Sequence, residues 1–308
     1  MRSETPGAPH SRGLHRFALL TAAATFLLLI AGALVTSNDA GLAVPDWPLS
    51  FGTWMPPLVG NILYEHGHRM VATFVGLLTI ILTVWLWRSE PRRWVRRLGL
   101  GALAAVILQG LLGGLTVLFL LPRPVSIAHA SLAQIFFCLT VSLAVITSRD
   151  WKEPTPRVAD PGTPSLRGLS GATTLALFGQ LVLGASYRHS LLSLLPHVVG
   201  AAVVAYLVMW TAKRVSSLQG RPAPLWRPAV SLAALVAVQL LLGPAAYLSR
   251  LAALEAPQPT LPLVGLTVAH VAVGGLALAA SVVLTLQCHR RFFRREEAPR
   301  LAAEKAPA

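Results

Sequence analysis

Long apolar runs separated by short polar segments dominate the pattern of this chain. Eight of the runs have roughly 18 to 25 residues, which as helices are long enough to cross a hydrocarbon core of ~30 Å. The fifth run is the weakest, since glycines dilute its hydrophobicity. The pattern predicts an all-α integral membrane protein with eight transmembrane helices. The runs lie near residues 17–36, 66–87, 98–118, 127–147, 169–186, 194–212, 229–248 and 263–287.

The composition agrees with membrane spans. The 308 residues are 54% hydrophobic and only 12% charged, which is far too apolar for a water-soluble domain of this length. Lys and Arg total 26 against 12 Asp and Glu, and the net charge of +14 fits nucleic acid, an acidic partner or an anionic membrane surface. Two cysteines, Cys138 and Cys288, belong to no metal-binding spacing, so neither a disulfide framework nor a zinc finger is expected.

The positions of the basic residues decide between these partners. Of the 26, 22 lie in the two tails and in every second loop. The alternate loops hold only Arg123, Arg188 and Arg250, and Arg69 stands at the start of the second run. The positive-inside rule therefore predicts that both termini are cytoplasmic, and the charge needs no nucleic-acid partner.

The two halves of the chain resemble each other. The sequence Gln-Gly-Leu-Leu-Gly at 109–113 recurs as Gln-Leu-Leu-Leu-Gly at 239–243, with a looser copy at 180–184. The repeat indicates two similar four-helix bundles, although glycines at such spacings also serve close helix packing in lipid. The expected divisions are a basic tail at 1–16, a first unit at 17–147, a linker at 148–168, a second unit at 169–287 and a basic tail at 288–308.

Five of the nine histidines lie at or near the starts of the even-numbered runs. They are His66, His68, His129, His197 and His270. All even-numbered runs cross the membrane from outside to inside in the predicted topology, so these histidines share one depth near the outer leaflet. A single membrane histidine is often a hydrogen-bonded packing residue, but matched positions in a repeat indicate a common function.

The histidines form one pair in each half, His68 with His129 and His197 with His270. Two imidazoles on facing helices are the usual way in which a helical bundle holds a haem iron from both sides. Zinc is the competing metal, but its sites usually need three or four protein ligands with cysteine or carboxylate support. The residues alone therefore favour two haem sites over zinc.

One carboxylate distinguishes the first half from the second. Glu65 lies three residues before His68 and on the same helical face, and no acid precedes His197 in this way. The alternative for Glu65 is an acid favoured at a helix N-terminus by the helix dipole. Arg69 could pair with a haem propionate or anchor to lipid headgroups. The outer loop 37–64 could cover the first site or simply lie at the membrane interface.

Four segments together resemble the haem A synthase family. They are Gly-Leu-Ala-Val-Pro-Asp-Trp-Pro at 41–48, Glu-His-Gly-His-Arg at 65–69, Gln-Gly-Leu-Leu-Gly-Gly-Leu-Thr at 109–116 and His-Ala-Ser-Leu-Ala-Gln at 129–134. Some members carry a cysteine pair in the first outer loop, whereas residues 37–64 contain none. The chain thus resembles the cysteine-free type of the family.

The resemblance implies an enzyme that oxidises the C8 methyl group of haem O to a formyl group, making haem A for terminal oxidases. It implies that His68 and His129 hold the substrate haem and that Glu65 acts in the chemistry. It also implies that His197 and His270 ligate a haem b cofactor. Removing a proton from the methyl carbon needs a nearby base, and Glu65 is the acid placed for it.

Two other functions use the same histidine pairs. One is a di-haem membrane electron-transfer protein linked to quinone, and the other is a non-catalytic haem-binding assembly factor. The expected partners are haem O, membrane lipid, haem O synthase and a terminal oxidase. The short N-terminal tail leaves little room for a mitochondrial transit peptide, so a multi-pass protein of a bacterial inner membrane is expected.

Overall fold

A computed structural model describes residues 12–160, 162–252 and 259–293. Within these residues eight helices are long and apolar enough to cross a membrane, which confirms the predicted number. Most of the tails 1–16 and 288–308, including His10, lies outside the described residues. The elements are α1 (Arg12–Ser37), α2 (Asn61–Ser89), α3 (Arg93–Leu118), α4 (Arg123–Thr147), the short α5 (Arg149–Lys152), β1 (Val158–Ala159), α6 (Leu166–Arg188), α7 (Leu194–Ser216), α8 (Ala223–Ala252), α9 (Leu261–Arg291) and β2 (Phe292–Phe293).

The eight long helices follow from the solvent that surrounds them. A lipid core offers no hydrogen bonds to the backbone, so an apolar segment must satisfy its own N–H and C=O groups as a helix. The shortest of the eight has 23 residues, about 34 Å at 1.5 Å per residue, which exceeds the hydrocarbon thickness. Helix α6 has the lowest hydropathy of the eight, as the glycine-rich fifth run predicts.

The helices pack as two four-helix bundles. In the first, α1 contacts α2, α2 contacts α3, α3 contacts α4, and α4 returns to α1. Helices α6 to α9 close a second ring in the same order, and each ring has its own apolar core. The bundles meet where α1 and α4 pack against α9, and where α4 packs against α6. The domain boundaries in the linker stay a prediction.

One face of the molecule gathers the start of α1 and the ends of α4 and α9. His15 Nδ1 lies 3.0 Å from the carbonyl oxygen of Ala144, one turn before the end of α4. Arg290 near the end of α9 donates to the carbonyl of Glu153, and β1 pairs in parallel with β2. The two ends of the described chain therefore lie on the same face. That this face is cytoplasmic stays a prediction.

Candidate functional site

Four of the singled-out histidines lie within the first three turns of α2, α4, α7 and α9. These helices all begin at the face opposite the two chain ends, so the histidines share one depth in the structure. Helices α2 and α4 occupy opposite corners of the first ring, and α7 and α9 occupy opposite corners of the second. Each histidine pair therefore spans one bundle. The paired residues are His68 with His129 and His197 with His270.

The second pair has a spacing that suits one iron between two imidazoles. The ring centroids of His197 and His270 are 6.2 Å apart, with an angle of 72° between the ring planes. A metal–imidazole bond is about 2 Å long and the ring nitrogen lies about 1 Å from the ring centre, so two axial imidazoles have centres about 6 Å apart. Nδ1 of His270 is buried and has no hydrogen-bond partner among the described residues. This geometry fits a haem held from both sides.

A glycine on the preceding helix lies against every one of these four imidazoles. A Cβ atom at Gly32, Gly113, Gly184 or Gly243 would stand 3.2, 3.3, 3.0 or 3.4 Å from Cε1 of the facing histidine. Such distances are too short or barely adequate for a methyl group, so a larger residue would displace the ring. The glycines of the repeat therefore have a local purpose beyond helix packing, which is to make room for the histidine rings.

A glutamine one turn before the glycine clamps three of the four histidines. The side-chain Nε2 atoms of Gln109, Gln180 and Gln239 donate to a histidine backbone carbonyl across the helix pair. The donor–acceptor distances are 2.9, 2.9 and 2.7 Å, and the accepting residues are His129, His197 and His270 in that order. The Gln-x-x-x-Gly repeat is thus a histidine-positioning device in both bundles.

Glu65 is buried beside the first histidine pair, and both of its carboxylate oxygens accept hydrogen bonds. Its Oε1 accepts a hydrogen bond from Nη2 of Arg69 at 2.6 Å, and its Oε2 accepts one from the backbone N–H of Val44 at 2.8 Å. The side chain is 5% exposed. A buried carboxylate needs such partners, because an unpaired charge in this environment is costly. Glu65 therefore joins the start of α2 to the outer loop.

Arg69 completes the attachment of the loop. Its Nη1 donates to the backbone carbonyls of Asp46 and Leu49, both at 2.8 Å, and also contacts Ser50 Oγ at 3.4 Å. The Arg69 side chain is 16% exposed, and its Nη1 and Nη2 atoms both donate to groups of the protein. The sequence offered a haem propionate or a lipid headgroup as its partner, and the structure adds a third one, the loop backbone. A propionate contact stays a prediction.

The tip of the loop is held by further contacts. His66 is buried, and its Nδ1 lies 2.8 Å from Ser50 Oγ, so this histidine serves the loop while His68 remains at the bundle interior. The ring of Trp47 rests on α3, where a Cβ atom at Gly114 would stand 2.7 to 3.0 Å from ring atoms. Residues 38–60 thus form a strap fastened across the outer end of the first bundle.

Asp46 shapes the turn of this strap. Its two carboxylate oxygens accept hydrogen bonds from the backbone N–H groups of Phe51 at 2.6 Å and Gly52 at 2.8 Å. The hydrogen bond from Gly52, followed by that from Phe51 and the charge of Arg69, holds the pKa of Asp46 below its ordinary value. The turn therefore keeps its acceptor well into the acidic range.

Sequence reasoning found the histidines and Glu65 but missed the residues that fasten them. Val44 and Ser50 act through a backbone N–H and a hydroxyl in an irregular loop, which leaves no periodic signal. The glutamine clamps did leave a signal, the repeated Gln-x-x-x-Gly spacing, which on its own indicates a repeat of two four-helix units, with helix packing as the alternative for its glycines. In the described part of the chain, no group of three or more His, Cys, Asp or Glu side chains comes together as a metal site.

The fold and site together define a class: a multi-pass membrane protein of two helical bundles, each with a histidine pair suited to haem. Among the described residues, the buried Glu65 and the long loop 38–60 lie beside the first pair, and no acid precedes His197 on α7.

Comparison with known proteins narrows the class. A family model described as "Cytochrome oxidase assembly protein" matches residues 59–195. A protein named "Heme A synthase" from Symbiobacterium thermophilum is 33% identical over 278 residues, covering 78% of this chain and 88% of that protein. The chain belongs to the haem A synthase family.

Two further relatives with the same printed name match about half of their own length. The protein from Alkalihalophilus pseudofirmus is 31% identical over 49% of this chain and 52% of its own. That from Lysinibacillus sphaericus is 34% identical over 44% of this chain and 46% of its own. Together with the eight apolar helices, these bacterial relatives identify a multi-pass protein of a bacterial membrane.

Proposed function

We propose that this chain is a haem A synthase, a membrane oxidoreductase that converts the C8 methyl group of haem O to a formyl group. The observation that carries the proposal is the asymmetry of the two histidine pairs. A buried carboxylate stands three residues before His68, and no ionisable group stands at the matching place before His197. A protein that oxidises one haem and retains another as a cofactor needs different residues beside its two histidine pairs.

The substrate haem O binds in the first bundle between His68 and His129. Both imidazoles are half-buried, and Nδ1 of each is buried with no hydrogen-bond partner among the described residues. Neither Nδ1 atom is therefore committed to another group, while Nε2 of His129 lies 3.4 Å from Nε2 of Gln109. Gly32 and Gly113 give each ring the space it occupies. Two axial contacts would fix the plane of the macrocycle and hence the position of its methyl groups.

Conversion of the methyl group to a formyl group adds one oxygen atom and, when that atom comes from water, releases four electrons and four protons. The electrons leave to an electron acceptor, and Glu65 takes a proton released at the reacting carbon. It is buried, it neighbours His68 on α2, and its oxygens are held as hydrogen-bond acceptors by Arg69 and by the N–H of Val44. A carboxylate whose oxygens accept hydrogen bonds, in a site covered by the strap, can act as a general base. Arg69 orients this carboxylate and keeps the strap over the site, so that water has limited access to the reacting carbon.

His197 and His270 hold a resident haem b. Their ring spacing of 6.2 Å supports this assignment, as do the glutamine clamps on both residues. Bound there, haem b would supply one-electron transfer to and from the substrate site. The chain's contribution is to fix both imidazoles and to keep the site apolar, since no charged residue precedes His197 on α7.

The partners follow from the substrate and product. Haem O is apolar enough to reach the first bundle through membrane lipid, and its supplier would be a haem O synthase. The product would pass to a terminal oxidase. Both exchanges take place at the outer half of the membrane if the predicted topology is correct, because the histidines lie at that depth.

Pigment extraction tests the proposal. Cells that make haem O but lack haem A receive a plasmid with or without this chain, and their haems are separated by chromatography. We expect haem A only in cells that carry the chain. A quinone-linked electron carrier or an assembly factor would leave haem O unchanged while adding a b-type spectrum to the membranes. Unchanged haem O alongside correctly inserted protein would therefore overturn the proposed reaction.

A further inference from the structure

The glutamine clamps are distributed unequally between the two haem sites. In the second bundle both histidines have one, from Gln180 and Gln239. In the first bundle only His129 has one, from Gln109. The residue at the matching place on α1, four positions before Gly32, is Leu28, which has no polar group to offer. The geometry around Gly32 is otherwise the same as around the other three glycines.

His68 is held by a different part of the molecule. Among the described residues its side chain makes no hydrogen bond, and Nδ1 is buried without a partner. The turn of α2 that carries it is attached through Glu65, His66 and Arg69 to the strap at residues 44–50. The position of His68 therefore depends on the strap, whereas the position of His129 depends on a neighbouring transmembrane helix.

The glutamine contact to His129 and the strap contacts around His68 differ in how easily they are released. A glutamine that donates to a backbone carbonyl across two packed helices restrains the helix itself, because the contact lies within the bundle. A loop at the membrane surface opens more easily than a packed helix pair, since fewer apolar contacts hold it. His129 is thus a fixed point in the first bundle. His68 can move whenever the strap is released.

We propose that Gln109 is a positioning residue that makes His129 the permanent ligand of the substrate haem, and that His68 is the ligand that detaches for haem exchange. The inference rests on the proposed function, in which haem O must enter and haem A must leave at each turnover. A resident haem is not exchanged at each turnover, and a glutamine holds each of the two histidines that are proposed to ligate it. Release of the strap and detachment of His68 are then one event.

Ligand exchange on purified protein tests the inference without turnover. The full chain is purified in detergent, loaded with haem O in the absence of an electron acceptor, and mixed with apomyoglobin to measure haem release. We expect Gln109→Leu to release haem O about three- to tenfold faster, the range for loss of one interhelical hydrogen bond. The matched control Gln239→Leu should leave haem O release unchanged and speed only the loss of haem b.

Two further measurements address His68 itself. Ferrous protein loaded with haem O should bind carbon monoxide at the first site, because carbon monoxide can replace His68 as a ligand of the haem iron. Leu28→Gln supplies the missing clamp and should slow both carbon monoxide binding and haem O release about three- to tenfold. This variant adds a contact, so it keeps the inference testable even where Gln109→Leu fails to fold. His68→Ala should retain haem O, and His129→Ala should lose it.

The results separate this inference from the proposed function. If His68→Ala and His129→Ala lose haem O equally, or if Gln109→Leu and Leu28→Gln both leave haem O release unchanged, the inference is wrong even when cells produce haem A. If the asymmetry is observed but cells never convert haem O, the inference holds for a haem-binding protein and the proposed reaction fails. Absence of haem O binding by the wild-type chain would overturn both.

Discussion

The two bundles share a scaffold and differ in the connection between their first two helices. Each has a histidine on both helices that begin at this end, and each histidine faces a glycine on the preceding helix. In the first bundle residues 38–60 connect α1 to α2 and form the strap, whereas in the second only residues 189–193 connect α6 to α7. Under the proposed function, the same four-helix frame holds a resident haem in one bundle and presents a substrate haem in the other, and the connections between the first two helices differ accordingly.

The bundles also differ in charge near their histidines. The first contains the ion pair of Glu65 with Arg69, at 2.6 Å and almost buried. The second has the apolar sequence Leu194 to Pro196 directly before His197. A buried ion pair contributes little to stability after desolvation, so the ion pair beside the first histidine pair is better explained by loop positioning and by the proposed chemistry. Under the proposed function, the copy of the repeat that contains this ion pair is the one that carries the chemistry.

The largest expected effect is loss of the resident haem from the second bundle. Replacing His197 or His270 with Ala removes one of the two imidazoles that are proposed to hold haem b, so the low-spin b-type spectrum of the purified protein should disappear. His68→Ala serves as the control, since it should leave this spectrum intact. Reduced-minus-oxidised difference spectra and haem extraction provide the measurement. A complete b-type signal in both second-bundle variants would mean that haem b lies elsewhere.

The next effect is on catalysis in the first bundle. Glu65→Gln keeps the size of the side chain but removes the base, so the rate of haem A formation should fall about 10²- to 10⁴-fold. The b-type spectrum of the second bundle should persist. Chromatography of extracted haems measures the ratio of haem A to haem O and detects partly oxidised intermediates.

Arg69→Gln is the control for loosening of the strap. It removes the contacts to Glu65, Asp46 and Leu49 while leaving the carboxylate in place. We expect a smaller loss, about tenfold, because orientation is impaired but the base remains. Equal losses in the two variants would assign Glu65 to holding the strap and leave the base elsewhere in the site.

The sequence predicted the parts of the molecule that depend on periodicity and length. All eight apolar runs lie inside the observed helices, and the histidine pairs occupy corresponding places in two bundles. The helices extend past the runs: α8 covers Ala223–Ala252, whereas the run covers 229–248. The extension at the start of α8 contains Pro224 in the first turn, where proline is tolerated, and also Pro228, which lies inside the helix.

The contacts of the strap could not be predicted in the same way. The partners of Arg69 are backbone carbonyls, whose positions depend on the path of an irregular loop and not on residue type. The position of Trp47 on Gly114 likewise joins a loop to α3 across 67 positions of sequence. The sequence therefore singled out Glu65 and Arg69 as candidate site residues. It could not show that the two side chains bind each other and the loop.

A smaller effect should follow from disturbing the seat of Trp47. Gly114→Ala places a Cβ atom within 2.7 to 3.0 Å of the Trp47 ring, so the ring and the strap must shift. We expect haem A formation to fall about tenfold, the cost of a typical overpacked contact. Gly110→Ala on the same helix is the matched control, because nothing lies within 4 Å of its added Cβ. Equal activity of the two variants would show that the strap does not depend on Trp47.

The smallest expected effect concerns the turn at Asp46. Asp46→Asn leaves one oxygen where the carboxylate has two, so one of the hydrogen bonds from Phe51 and Gly52 is lost. Amide hydrogen–deuterium exchange across residues 51–52 should become about two- to threefold faster at neutral pH, as expected for an exposed contact. Exchange in the short outer connection 189–193 of the second bundle should not change.

The pH dependence of the same turn sharpens this prediction. The donated hydrogen bond from Gly52, with that from Phe51 and the charge of Arg69, lowers the pKa of Asp46 in the folded protein. Stabilisation of the turn is therefore complete above the ordinary pKa of an aspartate and is lost only as the pH falls through the lowered value. After correction for intrinsic exchange, protection of residues 51–52 should persist down to the ordinary pKa in the wild type. In Asp46→Asn it should be weaker and independent of pH over this range. A wild-type turn that opens above the ordinary pKa would show that Asp46 does not hold it.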